Sequence, residues 1–92
     1  MSTQNNLDRE GKYIRFKWFM ASKSGKTHIW EVLAKDGGVK LGEVSWYGAW
    51  RCYAFFVSSK WGDFELVFEK QCLRDIANFC EEMTGIQRSL RK

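Results

Sequence analysis

The spacing of apolar residues changes once along the chain, and that change limits the folds open to it. Ile14, Phe16, Trp18 and Met20 take every second position, with Tyr13, Arg15, Lys17 and Phe19 between them, the pattern of a strand with one buried face. Ser22, Lys23, Ser24, Gly25 and Lys26 then supply turn chemistry, and residues 27–35 return to β-branched and aromatic types, which predicts a hairpin. Asp36-Gly37-Gly38 predicts the next turn, residues 39–47 a third strand, Gly48-Ala49 a break and residues 50–57 a fourth strand. After a loop over residues 58–63, residues 64–68 read as a short fifth strand. Beyond it the period becomes helical. Cys72, Leu73, Ile76, Phe79, Cys80 and Met83 form one stripe within residues 69–84, and Gly85 stands where a helix would end in the left-handed conformation.

Turns this short join antiparallel neighbours, because parallel pairs need long crossovers. The expected architecture is therefore α+β: an antiparallel meander of four or five strands with one C-terminal helix packed on one face. At 92 residues there is room for one hydrophobic core. Residues 1–11 read as a flexible leader, 12–85 as a single domain and 86–92 as a basic, fraying tail.

An apolar fraction of 45% is that of a chain able to bury a core rather than remain disordered. No run approaches the roughly 20 apolar residues that span a bilayer, and the polar start lacks the apolar segment of a signal peptide, so a cytoplasmic location without membrane contact is expected. Three cysteines, an odd number without metal-ligand spacing, suit a reducing compartment in which thiols act as small hydrophobes. The net charge of +4 is concentrated early, with six basic residues against two acidic over residues 1–30. Such a bias is compatible with nucleic acid without pointing to it.

The run Leu41-Gly42-Glu43-Val44-Ser45-Trp46-Tyr47-Gly48-Ala49-Trp50-Arg51-Cys52-Tyr53-Ala54-Phe55-Phe56, followed by Val67-Phe68 and Cys72-Leu73-Arg74-Asp75-Ile76, resembles a family of small phage and prophage proteins of uncharacterised activity. The family pattern is a Trp-Glu/Asp-Val strand, then Leu-Gly-x-Ile-x-Trp-Tyr-x-x-Trp-Arg-x-Tyr-x-Phe-Phe-Pro, then Val-Phe and Cys-Leu-x-Asp-Ile. Ile29-Trp30-Glu31-Val32 supplies the first element, so the resemblance covers residues 29–80. The chain departs from it at Val57, which replaces the proline, and in a longer loop over residues 58–64. The resemblance implies an accessory gene of a mobile element acting in a bacterial host, and no particular activity.

Chemistry-bearing motifs are few. Gly25-Lys26-Thr27 looks like the end of a phosphate-binding loop, but Met20 stands where that motif needs glycine and strands flank it on both sides, so a hairpin turn is expected. The one histidine, His28, has no evident nucleophile or base beside it. Cys72 and Cys80 share a helix face but stand about 12 Å apart along it, too far to bridge or to share a zinc ion. Neither catalysis, a metal nor a cofactor is expected. Asp75 reads as a helix-surface charge beside Arg74 and Lys70, with a functional carboxylate as the rival reading.

The aromatic content is the more informative feature, because one helix covers only one face of a meander. Leu33, Leu41, Tyr47, Tyr13 and Phe19 are expected on the other face, beside Arg15, Lys17 and Arg51. Tyr13, Arg15, Lys17, Tyr47, Trp50, Arg51 and Tyr53 are thus the candidate binding residues. Rings interleaved with cations suit a protein interface, where Trp, Tyr and Arg dominate binding energy. The same mixture suits single-stranded nucleic acid, with Lys40 joining the cations. Glu31 and Glu43, expected on that face, would repel phosphates. A non-catalytic binding protein acting on a host protein, such as host machinery or a defence complex, or pairing with itself, is the leading expectation. A nucleic-acid-binding module is the alternative.

Overall fold

A computed structural model describes residues 7–58 and 68–90. Among these residues, five strands form one antiparallel sheet in sequence order: β1 (Arg9–Glu10), β2 (Ile14–Ala21), β3 (His28–Ala34), β4 (Lys40–Tyr47) and β5 (Cys52–Val57), with one helix, α1 (Lys70–Leu90), packed against it. This is the α+β meander that the alternation and short turns imply. The identity of one strand differs, because the additional strand is Arg9–Glu10. The expected strand over residues 64–68 lies almost wholly outside the described residues, and Phe68 itself is not in a strand.

Arg9–Glu10 corrects the leader reading for residues 7–11, while residues 1–6 of that reading lie outside the described residues. Arg9 pairs with Phe16 and Glu10 with Arg15. The Trp18 N–H donates to Asp8 Oδ1 at 2.7 Å, and the Trp30 indole donates to the Leu7 carbonyl at 2.9 Å. A polar segment is held here by backbone and side-chain hydrogen bonds, which hydropathy does not register.

The core lies between the sheet and α1. Ile14, Phe16, Trp30, Val32, Val44 and Tyr53 meet Cys72, Ile76, Phe79 and Met83, all buried. Phe16 stacks on Phe79 with ring centroids 4.1 Å apart, and Trp30 stands edge-on to both Phe79 and Tyr53. Such ring pairs add about 0.5–1.5 kcal/mol each beyond the area they bury. Two close approaches depend on glycine. A Cβ at Gly42 would meet the Phe56 carbonyl and the Phe55 ring, and one at Gly11 would meet the Asp75 carboxylate.

A bulge between Trp18 and Met20 breaks the register of β2 on β3, so that Met20 falls opposite Ile29 and is 45% exposed. Met20 therefore leaves the buried face to which plain alternation assigns it, as an extra residue in a strand reverses the facing of those that follow.

The helix also departs from its expected bounds. Its first turn is capped by the side chain of Glu69, whose Oε1 accepts from the Cys72 N–H at 2.9 Å. Its end lies beyond Gly85, through Leu90, so residues 86–90 are helix rather than a fraying tail. A helical glycine costs about 1 kcal/mol relative to alanine. Burial of Thr84 and Gln87, together with a bond from Arg88 to the Arg51 carbonyl, holds the chain in helix past that point.

Candidate binding surface

The face of the sheet away from α1 carries the side chains that the helix cannot cover. Its registers run Lys17–Glu31–Glu43–Phe56 across β2 to β5, and Arg15–Leu33–Lys40 across β2 to β4. Tyr47 pairs with Cys52 at the far end of β4 and β5. From Lys40 to Tyr47 is seven residues, about 23 Å of strand. The face therefore has two ends of different chemistry.

The charged end holds Arg15, Lys17, Glu31, Glu43 and Lys40. Lys40 Nζ lies 2.9 Å from Glu43 Oε2 and 3.5 Å from Glu31 Oε2, so one ammonium serves both carboxylates. The hydrogen bond to Glu43 and the nearby charges of Glu43 and Glu31 hold the Lys40 ammonium above its ordinary pKa, against the opposing pull of desolvation. Lys40 is thus engaged, which removes it from the cations available to a phosphate chain. Arg15 and Lys17 make no ion pair among the described residues. Tyr13 sits at this end, 46% exposed, with the Lys12 ammonium 5.2 Å from its ring centroid.

The aromatic end holds Tyr47 and Trp50, with Phe19 and Met20 on β2, and Phe56, which pairs with Glu43, lies where the two ends meet. Tyr47 packs edge-on against Trp50 at 4.8 Å between centroids and against Phe56 at 6.2 Å. The small side chains of Ser45 and Ala54 face each other in the register between Tyr47 and Phe56, which leaves room for the two rings to meet. Trp50 is 69% exposed, the largest value among these rings.

The predicted residues therefore separate. Tyr13, Arg15 and Lys17 lie together at one end, and Tyr47 and Trp50 at the other. Two expectations are corrected. Tyr53 is buried on the opposite face, where its hydroxyl accepts from the His28 N–H at 3.1 Å and its ring packs edge-on against Trp30 and Trp46. Burial pushes its phenol pKa up. Arg51 belongs to the β4–β5 turn, and its neighbours are Trp46, Gly48 and Arg88 rather than Arg15 and Lys17. Phe56, absent from the predicted set, lies opposite Glu43 and packs edge-on against Tyr47, joining the two ends. Its parity could have revealed it, because Phe56 and Tyr47 occupy outward positions in a register that sends Tyr53 and Phe55 inward.

The remaining candidates are occupied by structure. His28 Nδ1 accepts from the Trp18 indole at 3.0 Å. Gly25-Lys26-Thr27 lies in the β2–β3 hairpin turn, closed by the Ser22 N–H on the Thr27 carbonyl. Asp75 accepts from the Lys12 N–H and the Gln71 side chain, both at 2.9 Å, so it ties the start of β2 to the helix instead of pairing with Arg74 or Lys70. Among the described residues no helix is long and apolar enough to cross a membrane.

The chain is 31% identical over 72 residues to an uncharacterised 9.3 kDa protein of Acholeplasma phage L2, a match covering 78% of this chain and 81% of that protein. No protein-family profile matches the chain, and no solved structure does.

Proposed function

The chain belongs to the family of small phage proteins that includes this relative, and from that premise we propose that it is a non-catalytic accessory protein that binds a host protein in the bacterial cytoplasm through the helix-free face of its sheet. The observation that carries this reading is the mutual packing of Tyr47, Trp50 and Phe56 on that face, each more than a third exposed. Exposed rings held by one another lose little freedom on binding, and Trp and Tyr supply much of the energy of protein interfaces. The motif that carries the family resemblance builds this end of the molecule, since Trp46-Tyr47-Gly48-Ala49-Trp50-Arg51 forms the β4–β5 corner.

The charge pattern favours protein over nucleic acid. A phosphate chain crossing the face would meet Glu31 and Glu43, while Lys40 is already paired with them. A protein surface of mixed charge can complement both signs.

Affinity capture from a host lysate, with wild type beside a Tyr47→Ala, Trp50→Ala variant, tests the reading. The variant loses the two ring pairs of Tyr47, about 1–3 kcal/mol at most, and should still fold because both side chains lie outside the core, which circular dichroism checks. We expect wild type to retain a protein that the variant loses. Identical recoveries would remove the aromatic end as the interface. Oligonucleotide binding that weakens steeply above about 50 mM salt would favour the nucleic-acid alternative instead.

A further inference from the structure

We infer that the chain binds a nucleotide-sized organic phosphate in a cleft beside the β4–β5 turn, on the helix side of the sheet. The cleft has a volume of about 500 Å³ and is lined, among the described residues, by Trp46, Gly48, Arg51 and Arg88. That volume is typical of small-ligand sites and far exceeds what a bare inorganic anion fills.

Its hydrogen-bonding capacity is one-sided. The Gly48 carbonyl accepts from the Arg51 N–H at 3.2 Å, and the Arg51 carbonyl accepts from one guanidinium nitrogen of Arg88 at 3.0 Å. The carbonyls of both turn residues are thereby engaged. The Arg51 guanidinium, the other nitrogens of Arg88 and the Trp46 indole N–H make no hydrogen bond or ion pair among the described residues. No acidic side chain is among the described residues lining the cleft. Donors free of protein acceptors and gathered without a carboxylate among the described lining residues favour an anion, and two guanidinium forks suit the several oxygens of a phosphate.

A second observation concerns the backbone. Arg51 has a φ of 54°, in the left-handed region that disfavours a residue with a side chain and that glycine adopts freely. Sparsely populated backbone of this kind gathers at ligand sites, where it fixes the direction of a side chain. Arg88 braces this conformation through the Arg51 carbonyl, so the two arginines that would hold the anion also hold each other's position. Trp46, steadied edge-on against Tyr53 at 5.2 Å between centroids, provides an aromatic wall for the planar part of the ligand.

Isothermal titration with AMP as the probe tests the site, with adenosine and inorganic phosphate as separate arms. AMP is expected to saturate one site at low salt. Adenosine lacks the anion and inorganic phosphate the ring, so each should bind at least about tenfold more weakly. Arg51→Gly removes the guanidinium while relieving the backbone, so the variant should fold as well as wild type and lose about tenfold or more in AMP affinity. Arg88→Lys keeps the charge but not the fork, and should weaken AMP as well. Absence of saturable AMP binding, unchanged affinity in Arg51→Gly, or phosphate binding as tightly as AMP would each overturn the inference.

Discussion

Cys80 illustrates how burial alone sets a side chain's chemistry in this molecule. Desolvation under the sheet, with a smaller effect of Cys52, pushes its thiol up to about 11 from an ordinary value of 9.0. The thiolate is the reactive form, so alkylation of Cys80 in the folded protein should stay slow at pH 8.5 and rise only as pH approaches 11. Mass spectrometry of iodoacetamide adducts against a denatured control measures this, and rapid labelling at pH 8.5 would contradict it. Because the folded value lies above the unfolded one, the thiol's contribution to stability is complete below pH 9 and is lost as pH rises through 11. Raised values for Tyr53 and Cys72, also caused chiefly by burial, act in the same direction. At this scale the sequence was readable for Ile14, Phe16 and Phe79, whose periodicity alone places them on core-facing sides of their elements. It misled at Tyr53 and was silent on Glu69. Assigning Tyr53 needed the strand's facing, and Glu69 caps the helix although Ser, Thr, Asp and Asn are the usual capping residues.

Elements are joined by bonds that the sequence does not announce. The Tyr53 N–H of β5 donates to Thr84 Oγ1 of α1 at 2.9 Å in a buried setting. Thr84→Val keeps the shape and removes the acceptor, which leaves the amide unpaired and should cost about 1–3 kcal/mol. Urea unfolding measures the change, and a loss below about 0.5 kcal/mol would show that the amide finds another partner. This bond helps explain why α1 runs past Gly85. The expected stop rests on a local preference for glycine at helix ends, whereas tertiary contacts of Thr84, Gln87 and Arg88 favour continued helix. The same competition moved Met20, because a bulge in β2 is not encoded in alternation. The four long strands, their order and the helix stripe apart from Leu73, which is 52% exposed, were legible, since turn spacing and hydrophobic period determine them.

On the scale of the whole molecule, the sheet separates two surfaces. One is sealed by α1, whose Cys72, Ile76, Phe79 and Met83 close over the buried sheet side chains from Ile14 to Tyr53. The other keeps Tyr47, Trp50 and Phe56 in contact and in solvent, with the paired charges of Lys40, Glu31 and Glu43 beginning beside Phe56. That such a face would be left over was readable from a surplus of rings over what one helix covers. That the packed rings gather on the β4–β5 side while Arg15 and Lys17 lie on β2 was not, because their separation depends on strand register. A photo-crosslinking amino acid in place of Phe56, compared with one in place of Leu73 on the exposed side of α1, tests the proposed surface most directly. In infected or expressing host cells the Phe56 position should yield a discrete adduct with one host protein, and the Leu73 position should not. An adduct formed only from Leu73 would place the interface on the helix and contradict the account.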